Sequence, residues 1–166
     1  MVTENSWKSL QLVTEWIKFS DVKAGALLAA SGAFGGYLTT NLVDVTRWKL
    51  TPMHTAASLL ALASVLVSAF LAVRVLNPRL DIGGPPSLLY FRDVAGRHKE
   101  DREGFVESYL TLVADDAHLA TALAEQVWAN NIVASYKFTH VRRSVWALAA
   151  GLAFGFVGLL GRAYGL

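Results

Sequence analysis

Three runs of the chain, residues 24–43, 50–73 and 144–161, carry no charged side chain. Each is about as long as the roughly 20 residues an α-helix needs to cross a hydrocarbon core at about 1.5 Å rise per residue. They predict three transmembrane helices, over 23–43, 50–73 and 144–162, with an external loop at 44–49 between the first two. Ahead of the first run, Leu10, Val13, Ile17 and Asp21 recur at three- and four-residue steps, which predicts an N-terminal amphipathic helix over 1–22. No proline precedes Pro52, so that helix can run unbroken into the first span. Its Trp7 and Trp16 fit two readings, headgroup anchors or core residues of a cytoplasmic bundle.

After the second run, Asn77-Pro78 and Gly83-Gly84-Pro85-Pro86 predict an irregular connection. Ser87 stands where an N-cap belongs, ahead of a short helix from Leu88 to about Lys99. Between Phe105 and Ala150 there is neither glycine nor proline, which supports one continuous long helix entering the membrane as the third span, although a bend near Ala114–His118 would leave no clear mark in the sequence. The fold class is therefore an all-α membrane protein with a helical region over 74–143.

Charge adds orientation. Of the 15 basic residues, all but Arg47, Lys49 and Arg162 flank one side of the predicted spans. The excess of Lys and Arg on cytoplasmic loops puts the N-terminus and 74–143 in the cytoplasm and the C-terminus outside. With a formal charge of +2, those residues are better explained by topology than by a polynucleotide track. No nucleic-acid partner is expected. The absence of cysteine removes disulfides and thiol chemistry. The acidic and aromatic lead before Ala24 does not resemble a cleaved signal peptide.

Inside the spans the polar groups beyond Ser and Thr are Asn41 and His54, both near the predicted outer ends, so substrate transport is not expected. Small residues recur at four-residue steps: Gly25, Ala29 and Ala33 with Gly32 and Gly36; Ala57, Ala61 and Ala72; Gly151 and Gly155, then Gly158. Such stripes let helices approach closely, either within one protomer or between copies in a homo-oligomer.

Three polar clusters stand on the predicted cytoplasmic side. Asp21 and Lys23 lie at the membrane end of the first helix. Tyr90, Phe91 and Arg92 lie near a helix N-terminus, where free N–H groups favour an anion. Gln126, Asn130 and Lys137 share one line of the long helix with Asp115, interrupting an apolar face of Leu119, Ala122 and Val133. Polar side chains in such a stripe are partnered or line a pocket. The four histidines have no metal-ligand spacing, and no phosphate loop, nucleophile elbow or triad pattern is present. Neither a metal nor an enzymatic activity is expected.

The segments Trp16-Ile17-Lys18-Phe19-Ser20-Asp21-Val22-Lys23-Ala24, Leu76-Asn77-Pro78, Ser87-Leu88-Leu89-Tyr90-Phe91-Arg92-Asp93-Val94, and Gln126 through Asn130-Asn131 to Lys137-Phe138 resemble those of the Pycsar effector proteins. The order of motifs is similar over roughly 6–161. The resemblance implies a membrane effector of bacterial anti-phage defence. It would sense cyclic CMP or cyclic UMP from a partner cyclase on its cytoplasmic side and impair the inner membrane. One departure is Asn131, where a serine is expected; asparagine is larger and differs in its donors. A cyclic mononucleotide calls for a cation, a hydrogen-bonding side chain and an aromatic face. Arg92, Lys137 or Lys23 can meet the phosphate; Gln126, Asn130 or Asn131 the base edge; Tyr90 or Phe91 the base plane. Two other readings stay open, a membrane scaffold for a protein partner and a small channel.

Overall fold

The computed structural model describes residues 2–43, 52–77 and 86–164, and its regular elements are all α-helices. They are α1 (Val2–Val43), α2 (Pro52–Leu76), α3 (Phe91–His98), α4 (Arg102–Ala114) and α5 (Asp116–Tyr164). The predicted outer loop at 44–49 and the Gly83-Gly84-Pro85 connection lie outside the described residues. The amphipathic stretch and the first apolar run form one unbroken helix, as the lack of an early proline allows. The chain divides into an apolar unit, Ser20–Asn77 with Lys137–Leu166, and a polar unit, Met1–Phe19 with Pro78–Tyr136.

In the apolar unit, burial follows a repeat of three and four residues. On α2 the buried positions include His54, Ser58, Ala61, Val65, Ser68, Ala72 and Val75. On α1 Ser20, Ala24, Ser31 and Leu38 are buried, with Leu27 and Phe34 half-buried between them. On α5 Lys137, Val141, Ser144, Gly151 and Gly158 are buried, with Leu148 and Gly155 half-buried. A 3.5-residue period keeps one seam of each helix facing its neighbours, the geometry of coiled-coil packing. Ala24, Val75 and Val141 meet beside Leu27, and Leu38, Ala61 and Val65 meet beside Phe34 and Leu148. Helices approach closely at Gly151, where a Cβ would lie 2.9 Å from Val65 Cγ2 and 3.2 Å from the Ala61 carbonyl oxygen.

The centre of this seam is hydroxylic. Ser31 Oγ donates to Ser68 Oγ at 3.1 Å, Ser68 Oγ to the Ser144 carbonyl at 2.9 Å, and Ser144 Oγ to the Ser68 carbonyl at 2.9 Å. Each hydroxyl proton thus crosses between helices. On the exposed side, Thr39 and Thr40 instead donate to the Gly35 and Gly36 carbonyls of their own helix, at 3.0 and 2.8 Å.

The small-residue stripes divide. Ala57, Ala61, Ala72, Gly151 and Gly158 pack inside the protomer. Gly25, Ala29, Gly32, Ala33 and Gly36 are exposed, and a Cβ on any of those three glycines would meet nothing within 4 Å. By length and composition α2 and α5 are able to cross a membrane. The run in α1 is diluted by Gly25, Gly32, Gly35 and Gly36 together with Ser31, Tyr37 and Thr39.

In the polar unit, Val13 of α1 and Leu119, Leu123 and Ala134 of α5 are buried, whereas α3 and α4 bury no residue. Trp7 and Trp16 are 40% and 45% exposed, so neither is a core residue of this chain. Two boundaries differ from expectation. The helix expected from Leu88 starts at Phe91, because Ser87 organises a turn: its Oγ accepts from Leu89 N at 3.1 Å and its own N–H donates to Asp93 Oδ2 at 2.8 Å. The continuous helix expected from Phe105 breaks at Asp115, whose extended backbone ends α4. Its side chain caps α5, Oδ1 accepting from Ala117 N at 2.9 Å and His118 N at 3.1 Å. An aspartate cap needs neither glycine nor proline.

Candidate ligand-binding site

The anticipated site residues fall in both units. In the apolar unit, Lys137 occupies a core position of the α5 seam and donates to Asp21 Oδ1 of α1. The Lys137 side chain is 10% exposed and that of Asp21 37%, so the pair is sheltered on the lysine side and open on the carboxylate side. A buried ammonium is costly unless paired, and the neighbouring carboxylate meets that cost. Lys23, exposed, places its Nζ 5.8 Å from the centre of the Phe138 ring, within cation–π range. His140 is buried one turn beyond.

In the polar unit, Gln126 Nε2 donates to Asn130 Oδ1 at 3.2 Å, and Asn131 Nδ2 donates to the Val127 carbonyl at 2.9 Å. All three amides are half-buried. The spacing of 126 and 130 put both on one helix face, and the structure bears this out. Tyr90 and Phe91 meet edge-on with centroids 5.0 Å apart; Phe91 is 67% exposed, and Arg92 is exposed beside it. Asp115, expected on the line of Gln126, instead precedes α5 as its cap. Hydrogen bonds to its carboxylate from the backbone of His118 and then of Ala117 hold its carboxyl below the usual range.

Three features escaped sequence reasoning. The serine knot joins residues far apart in the chain, and single serines in an apolar run are unremarkable. His54 Nδ1 donates to the Gly158 carbonyl at 2.9 Å, a bond between α2 and α5 that fixes which ring nitrogen carries the proton. Phe138 follows Lys137 in a motif whose lysine drew the attention. Among the described residues no group of His, Asp and Glu is arranged to hold a metal ion.

A helical protein with two helices long and apolar enough to cross a bilayer, and a polar unit carrying amide, aromatic and basic side chains, has the make-up of a membrane protein. Comparison with known proteins gives it a place. The family model described as the Pycsar effector protein domain matches residues 5–162. The chain is 34% identical to the Pycsar effector protein PtPycTM of Propioniciclava tarda, over 92% of this chain and 81% of that protein. It therefore belongs to the Pycsar effector family, membrane effectors of anti-phage defence. No solved structure matches.

Proposed function

We propose that this protein senses a cyclic pyrimidine mononucleotide, cyclic CMP or cyclic UMP made by a partner cyclase, and in response impairs the bacterial inner membrane. The observation that carries this reading is the content of α5. One helix holds the half-buried amides Gln126, Asn130 and Asn131 and, seven residues past Asn130, the buried Lys137 tied to Asp21. A ligand held by the amides acts on the same rod that carries the ion pair.

Recognition is assigned to the polar unit, which offers all three chemistries a cyclic mononucleotide requires. Arg92 meets the phosphate, Tyr90 or Phe91 the base plane, and the amides the base edge. Lys137, held by Asp21, and Lys23, over Phe138, are assigned to coupling rather than to ligand contact. Occupancy shifts the balance between two membrane states by the difference in its affinity for them.

The charge-free run of α1 is proposed as a third span beside α2 and α5. The N-terminus and 74–143 face the cytoplasm, and the C-terminus lies outside. The exposed Gly25–Gly32–Gly36 face is proposed to pack against a second copy, because small residues let membrane helices approach closely. Crosslinking in native membranes that yields only monomer contradicts that assignment.

Thermal unfolding of the detergent-solubilised protein tests the central reading, since a ligand specific to the folded form raises its apparent stability. One of the two pyrimidine cyclic nucleotides is expected to raise the midpoint and cyclic AMP to leave it unchanged. Arg92→Ala is expected to weaken binding by about tenfold, as loss of a charge-assisted hydrogen bond does. Lys137→Met is expected to keep affinity but abolish the growth arrest seen when cyclase and effector are expressed together. Unaltered melting with both pyrimidine nucleotides overturns the proposal.

A further inference from the structure

The end of the apolar unit away from the Asp21–Lys137 pair holds a cleft of about 200 Å³. Phe34, Leu38, Leu152, Phe156 and Leu159 form its walls, and Tyr37 and Arg162 also line it. His54 contributes its ring, with Nδ1 committed to the Gly158 carbonyl. Gly155 makes room at the wall: a Cβ there would lie 2.8 Å from Phe34 Cζ.

Depth follows from α5. Arg162 lies about 25 residues beyond Lys137, or roughly 37 Å of helix, against a bilayer of about 40–45 Å including its headgroups. Arg162 therefore stands at headgroup level with Tyr37, a residue type enriched at that level. Leu152, about ten residues earlier on the same helix, is roughly 15 Å deeper, about a third of the way through the hydrocarbon. The cleft thus has a cationic, aromatic rim in the headgroup zone and apolar walls in the acyl zone.

We propose that the Arg162 cleft binds one anionic phospholipid, with its phosphate at the guanidinium and part of an acyl chain against Phe34, Leu152 and Phe156. Charge complementarity selects the headgroup; apolar walls alone would take any lipid tail. A cavity of 150 Å³ lined by apolar side chains is enough to hold a benzene ring, so 200 Å³ accommodates a stretch of hydrocarbon chain. This inference uses no residue of the polar unit and so stands apart from the nucleotide reading, but it rests on the proposed membrane placement of α5, since depth is counted from Lys137.

The test is unfolding of the full chain in detergent titrated with phosphatidylglycerol, phosphatidylcholine or soluble glycerol phosphate. Phosphatidylglycerol is expected to raise the midpoint most and glycerol phosphate not at all. Arg162→Gln is expected to weaken phosphatidylglycerol roughly fivefold, the worth of one basic residue at a lipid surface, and to leave phosphatidylcholine unchanged. Leu152→Trp, which fills the cleft from its exposed side, is expected to abolish both responses while circular dichroism reports the same helicity. Equal stabilisation of the unsubstituted protein by the two lipids overturns the proposal, as does a phosphatidylglycerol preference that survives Arg162→Gln. Disulfide crosslinking of Leu152→Cys to a second copy at a yield unaffected by lipid also overturns it, since a protein helix would then occupy the cleft.

Discussion

The two units treat their polar groups in opposite ways. In the apolar unit Ser31, Ser68 and Ser144 turn their hydroxyls inward and bond across three helices, and His54 does the same toward Gly158. In the polar unit Asp101, Asp115 and Ser87 spend theirs on neighbouring backbone: Asp101 Oδ1 takes the Gly104 N–H at 2.9 Å, as Asp115 takes those of Ala117 and His118. Solvent explains the difference. Water can satisfy a helix end, so a cap there only sharpens a boundary. Lipid supplies no partner, so a hydroxyl inside the membrane either folds back on its own helix or reaches another one. Reaching across converts a local requirement into a tertiary bond, and a seam of small residues makes the reach short enough.

Lys137 marks the limit of that logic, since it places a full charge at a core position. Lys137→Ala leaves Asp21 without its cation. Loss of one partner from a fully buried pair costs roughly 3–5 kcal/mol; with 37% of the Asp21 side chain exposed, about 2–3 kcal/mol is expected. Reversible unfolding in mixed micelles measures it. Asp21→Asn combined with Lys137→Met is expected to recover most of the loss, because an apolar chain of similar length replaces the ammonium and no charge stays behind. A double substitution as damaging as Lys137→Ala alone would show that shape, not charge balance, governs this position.

How far the sequence disclosed this arrangement depends on the range of each interaction. Apolar length is a property of the chain itself, so the helices over 52–76 and through 144–161 were legible. So was the Gln126–Asn130 pair, because a four-residue step brings two side chains together whatever surrounds the helix. The partner of Lys137 was not legible, being 116 residues away. The small-residue stripes left open whether they pack within the protomer or between copies. Gly25, Ala29 and Ala33 follow the same four-residue rule as Ala57 and Ala61, yet the first set faces outward, because the buried line of α1 runs through Ala24, Ser31 and Leu38. Spacing identifies a face without saying what covers it. The break at Asp115 was hidden for another reason: an aspartate inside a helix and an aspartate capping one are the same letter.

The serine knot gives a smaller effect than the ion pair and sharpens the contrast between the units. Ser68→Ala removes the acceptor of Ser31 and the donor to the Ser144 carbonyl, but leaves Ser144 bonded to the Ser68 backbone. A loss of about 1 kcal/mol is expected, within the roughly 0.6–1.7 measured for interhelical hydrogen bonds in membranes. Thr39→Ala, which removes only bonds to its own helix, is expected to change micellar unfolding by far less. Equal effects of the two substitutions would mean that crossing between helices adds nothing in this bundle.

Asp115 offers the smallest effect, and one that carries a pH signature. Its carboxyl is held below the usual range because the His118 and Ala117 N–H groups bond its ionised form. A carboxylate depressed in the folded state contributes its full stabilisation above the pKa of the unfolded chain. That contribution fades as pH falls through the unfolded value toward the lower folded one. Melting in detergent from neutral pH into the acid range is therefore expected to show a loss that Asp115→Asn lacks, since asparagine caps a helix without titrating. At neutral pH Asp115→Asn should melt close to the unsubstituted protein and Asp115→Ala below both. If all three share one acid profile, the cap contributes nothing to the start of α5, and the break there belongs to the packing of Leu119 and Leu123 instead.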